Sequence, residues 1–174
     1  LISSLPSLTF GDKPFYSTVD FLSMCLSLIS ETDYLKLEKI NLNPEETTNC
    51  FKLSKQWKSY ETEIRNLSVK IRAGKLNRDP LPYLKGDSIM SSEIDKGVSD
   101  AFSAQSPIDK ELTLDKMRWN LLDSLEGMDP FSFNKLCVYK LKLMICEKWT
   151  NRKVVAGQTN LDNILTKMYT AGIF

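Results

Sequence analysis

The chain of 174 residues has no histidine. That absence removes imidazole acid–base catalysis, Ser-His and Cys-His nucleophile pairs, and His-ligated metal. Glycine is scarce: the seven glycines are scattered singly, so no glycine-rich phosphate loop or nucleophile elbow is present. The four cysteines, Cys25, Cys50, Cys137 and Cys146, form no CxxC pair, which argues against zinc. Cys137 and Cys146 share one predicted helix, about 13 Å apart at ~1.5 Å per residue, too far for a disulfide. All four read as small buried hydrophobes in a reducing cytoplasm. No run reaches the ~18–20 apolar residues that span a bilayer, and serines interrupt the most apolar stretch, Phe21 to Ile29. Leu1 to Phe10 lacks the positive n-region of a signal peptide, and the start at Leu1 suggests that a few residues precede it. Net charge is only +1, so no bulk field argues for nucleic acid.

What is present is helical periodicity. Leu53, Trp57, Tyr60, Ile64, Leu67 and Ile71 recur at intervals of three and four, which places six large apolar groups on one seam of a long helix. The residues between them are mostly charged, so the other faces of that helix are expected to be wet. The seam must lie against other helices of this chain or of a partner.

The expected fold is all-α, with about six or seven helices in two packed lobes and an extended N-terminal arm. Pro6, Gly11 and Pro14 keep residues 1–16 out of helix, and Leu1, Ile2, Leu5, Leu8 and Phe10 anchor the arm. Ser17 with Asp20 approximates a capping box, and Ser30 caps a short second helix that Asn43-Pro44 ends. The long helix is predicted from about Thr48 to Ala73, with Gly74 at its stop. Asp79-Pro80-Leu81-Pro82 is a stiff turn. Residues 79–91 read as a linker between an N-terminal lobe, 1–78, and a C-terminal lobe, 92–174, although one continuous domain also fits the length. Ile94, Val98 and Phe102 share a face. Ser106-Pro107 opens the next helix, Gly127 closes it, and Thr113 or Asp115 is a candidate break within it. Phe133 to Trp149 forms a strongly apolar helix whose lysines 135, 140, 142 and 148 are expected to keep their charges in water. After a bend at Val154–Gly157, Leu161, Ile164, Leu165 and Met168 belong to a last helix.

Between Lys52 and Arg78 stand eight basic residues and only the acids Glu61 and Glu63. The plain reading is a solvated helix face. The functional reading is a surface for an acidic protein partner carried by Lys52, Lys55, Lys58, Arg65 and Arg72. Trp57 and Tyr60 sit on the core seam, which makes them poor base-stacking platforms. The acids Asp109, Glu111 and Asp115 fit a helix N-terminus, and Glu147 with Arg152 fits a helix-end ion pair. Neither group makes a catalytic constellation by spacing. No catalytic residue, metal ligand, cofactor or small-molecule substrate is expected. The competing enzyme reading requires a deep polar cleft that holds Asp109, Asp115 or Glu147.

The opening Leu1-Ile2-Ser3-Ser4-Leu5-Pro6-Ser7-Leu8-Thr9-Phe10-Gly11 resembles the start of a little-characterised bacterial family encoded in V-type ATPase operons. Leu114-Asp115-Lys116-Met117-Arg118-Trp119-Asn120 and Leu141-Lys142-Leu143-Met144-Ile145-Cys146-Glu147-Lys148-Trp149 look like two further stretches typical of it. The resemblance implies a counterpart of the V-type ATPase connector, the helical funnel between central stalk and membrane ring, or an assembly factor for the complex. It implies partners among the other V-type ATPase subunits, and a cytoplasmic location peripheral to the inner membrane through them. It further implies that full-length members are longer than this chain. A free-standing helical adaptor or assembly chaperone is the alternative.

Overall fold

The computed structural model describes residues 1–44, 51–86 and 90–152. Within them are six α-helices and no strand: α1 (Thr18–Leu26), α2 (Glu31–Lys39), α3 (Lys52–Lys75), α4 (Ser92–Ser103), α5 (Pro107–Glu126) and α6 (Phe133–Thr150). The bend at Val154–Gly157, the last helix near Leu161 and the expected start at Thr48 lie outside the described residues.

Local chemistry sets most of the helix boundaries. The Ser17 hydroxyl accepts from the Asp20 N–H at 3.1 Å and the Asp20 carboxylate accepts from the Ser17 N–H at 3.1 Å, a complete capping box. Ser30 and Ser106 cap α2 and α5 by accepting from the N–H groups of Asp33 and Asp109. Pro107 takes the first helical position, where its missing donor costs nothing. Helix α5 continues through Thr113 and Asp115 without the expected break. Two features correct the expected end of α3. Gly74 lies inside the helix, which runs to Lys75. The left-handed residue beyond it is Asn77, at φ 50°, and the Arg78 N–H reaches back to the Ala73 carbonyl at 2.9 Å. Asparagine tolerates this conformation better than most side chains, so it serves where glycine is usual.

Two apolar clusters form the core. The larger joins Phe21 and Cys25 of α1, Leu37 of α2, Leu53 and Trp57 of α3, Leu122 and Leu125 of α5, and Leu141, Leu143 and Ile145 of α6. The smaller joins Ile64 of α3 with Ile94 and Val98 of α4 and Met117 and Leu121 of α5. Residues from either side of 79–91 enter both clusters. The arm residues Leu1, Ile2, Leu5, Leu8 and Phe10 pack on the larger one, and Phe10 meets Trp119 edge-on at 5.6 Å. Helices α4 and α5 approach closely at Gly97, where an added Cβ would stand 2.3 Å from Met117 Sδ.

The seam of α3 is buried, but the other faces of this helix are not all wet. Ser54, Glu61, Thr62, Glu63, Asn66 and Ser68 are also buried. Polar partners found in the fold permit part of this. Asn66 exchanges two hydrogen bonds with the Lys85 backbone, at 2.8 and 2.9 Å, and Glu61 meets Arg118. Lys140 corrects a second expectation. Its side chain is 3% exposed, and its ammonium donates to the carbonyls of Leu37, Glu38 and Ile40 at 2.9, 2.9 and 2.8 Å. It therefore closes the C-terminus of α2, whose last carbonyls have no intrahelical donor.

Candidate functional site

A chain of charged side chains ties α3, α5 and α6 together. Arg118 grips Glu61 through two parallel hydrogen bonds of 2.6 and 3.0 Å, and reaches Asp115 at 2.9 Å. The other oxygen of Asp115 accepts from Lys148 at 2.7 Å and from the Trp149 indole at 2.9 Å. Lys148 also contacts Glu111 at 2.6 Å, and Glu111 pairs with Arg152. Burial alone would push the Arg118 guanidinium down, but the Glu61 and Asp115 charges outweigh it and hold it above its ordinary value. Burial pushes Glu111 up, and hydrogen bonds from Lys148 and Arg152 reverse that and hold its carboxyl below the usual range.

This network floors one side of a cleft of about 600 Å³. Leu42, Asn43 and Arg72 form one wall; Lys110, Leu114 and Lys148 form the other. Four cations, Arg72, Lys110, Arg118 and Lys148, face two acids, Glu111 and Asp115, so the cleft carries an excess of positive charge.

The expected partner surface divides. Lys58, Arg65 and Arg72 are one heptad apart and follow one edge of α3, with Lys55 a turn before them. Lys52 stands about 120° around the helix from Lys58 and does not join that line. Lys55, Arg65 and Arg72 are exposed and Lys58 is half-buried. The line ends in the cleft, through Arg72. Sequence reasoning missed Lys110, Arg118 and Lys148 as the opposite wall. The spacing of Asp115 and Arg118 was a visible signal for part of it, whereas Glu61 and Arg118, 57 residues apart, left none.

The acids singled out from sequence have structural duties. Asp109 accepts from the Ser106 hydroxyl at the start of α5. Asp115 is held by three donors. Glu147 does not pair with Arg152 as expected: it binds Thr18, and Arg152 turns to Glu111 and stacks 4.3 Å from the Trp149 ring. Among the described residues, no group of three Cys, Asp or Glu side chains could hold a metal ion. No described helix is long and apolar enough to cross a membrane.

Fold and cleft together define an all-helical protein with a basic surface groove. The chain belongs to the family described as "Protein of unknown function (DUF2764)", whose model matches residues 44–171. No curated protein and no solved structure matches it.

Proposed function

We propose that this chain is a non-catalytic component or accessory protein of a bacterial V-type ATPase. It is a helical connector, similar to the funnel of that complex, seated between central stalk and membrane ring on the cytoplasmic side. The observation that carries the reading is the line Lys55, Lys58, Arg65 and Arg72 along α3, which runs into a cleft of net positive charge. Such a surface suits an acidic protein partner, steered and oriented by charge. The arm beginning Leu1-Ile2-Ser3-Ser4-Leu5, which resembles the start of proteins from V-type ATPase operons, supplies the identity of the complex. The duties of Asp109, Asp115 and Glu147 in capping and ion pairing favour a mechanical role over an enzyme built on them. In that role the body transmits force and no bond is made or broken.

Isolation of the ATPase from gently solubilised membranes tests the proposal. A stoichiometric component stays with the mature complex. Presence in subassemblies alone identifies an assembly chaperone, and absence from both rejects the reading.

A further inference from the structure

Beside the cleft, Lys110 Nζ sits 3.2 Å from the centre of the Phe102 ring. Arg72 Cζ and Lys75 Nζ each lie 5.8 Å from the same centre. Three cations from the end of α3 and the start of α5 therefore surround one aromatic side chain. Among the described residues, no carboxylate comes within 4.0 Å of any of them. The neighbouring cations differ in this respect. Arg118 and Lys148 are matched by Glu61, Glu111 and Asp115. The ring face offsets part of the repulsion among the three. Burial, together with the Arg72 and Lys75 charges, pushes the Lys110 ammonium below its ordinary value.

We propose that Arg72, Lys75 and Lys110, gathered around Phe102 at the cleft, bind a phosphate-bearing ligand. Charge density decides between phosphate and carboxylate. One phosphate carries about −1.5 to −2 at neutral pH, so a single group answers most of the charge of the cluster. A carboxylate brings one negative charge, and an acidic peptide distributes several along its length. The Arg72 guanidinium offers a planar fork for two phosphate oxygens, and the two lysines act as point charges. The ligand is either a soluble phosphate compound or a phospholipid headgroup, because both present the same chemistry. The site stands apart from the docking line: Lys75 and Lys110 do not belong to that line, and Lys55, Lys58 and Arg65 do not touch the Phe102 cluster.

Calorimetric titration of the full chain with tripolyphosphate tests the site, with sedimentation of phosphatidylcholine vesicles with and without phosphatidic acid as a second arm. The substitutions Lys110→Gln and Lys75→Gln lie on accessible side chains, and thermal melts verify their folding. Each is expected to weaken binding about tenfold, the loss of one charge-assisted hydrogen bond. Lys55→Gln should leave it unchanged. Tripolyphosphate binding without vesicle binding identifies a soluble ligand; vesicle binding that needs phosphatidic acid and both lysines identifies a headgroup. Three results overturn the proposal: no binding to either probe, binding indifferent to Lys75 and Lys110, or a poly-glutamate peptide that binds as tightly as tripolyphosphate. Lost phosphate binding with partner capture intact separates this site from the docking line.

Discussion

The carboxylate of Glu147, on α6, holds the first residue of α1. Its Oε1 accepts from the Thr18 backbone N–H at 2.6 Å and its Oε2 from the Thr18 hydroxyl at 2.5 Å. A helix N-terminus favours negative charge, and this one receives it from a residue 129 positions away, in addition to the local Ser17–Asp20 box. The contact therefore docks α1 onto α6 as well as capping it. Glu147→Ala should cost about 1–2 kcal/mol in urea denaturation, the worth of a charged cap. Glu147→Gln, which keeps an acceptor, should cost less.

Lys140 is expected to matter more. Lys140→Met leaves three carbonyls at the end of α2 without their donor, in surroundings closed to water. A loss of about 2–4 kcal/mol should appear in the same assay. Lys39→Met, on an exposed side chain of the same helix, should change stability by no more than about 0.5 kcal/mol.

The Glu61–Arg118 pair lends itself to a double-mutant cycle. Both side chains are largely buried, at 2% and 17% exposure. Arg118→Met strands the Glu61 carboxylate and should cost about 3–5 kcal/mol. Adding Glu61→Leu should recover much of that loss, because replacing a whole buried pair with apolar groups is often close to neutral. Additive losses would contradict direct coupling.

The thiols give a pH dependence of defined sign. Burial pushes Cys25 up to about 11 and Cys137 up to about 12, from an ordinary value of 9.0. Between the ordinary and the raised values the folded chain keeps thiol protons that the unfolded chain releases. Stability from this source is complete below about pH 9 and declines as pH climbs toward 12. Alkylation followed by mass spectrometry should leave both residues unmodified at neutral pH and modify them on unfolding.

Much of the architecture is legible in the sequence because it rests on local rules. The three-and-four spacing from Leu53 to Ile71, the Ser17 and Ser106 caps and the Pro107 start each follow from neighbours along the chain. Misreadings arise where distant partners decide. Nothing near Lys140 in sequence announces the α2 carbonyls, so spacing alone leaves its charge in water. Glu61 reads as a wet-face residue because Arg118 is far along the chain. The basic line on α3 can be read from spacing, but its continuation into a cleft requires α5 to be folded against it. Phe102 is legible as an apolar face residue, yet the three cations around it come from two helices that only the fold brings together.

The central claim is that the line along α3 grips an acidic partner in the V-type ATPase. Capture of the other ATPase components at low salt by the native chain, and by a chain with Lys55→Glu, Lys58→Glu and Arg65→Glu, tests it most directly. The account predicts that the native chain retains a partner whose binding weakens as salt rises, and that charge reversal abolishes most of that binding and its salt dependence. Equal capture by the folded triple variant would contradict it.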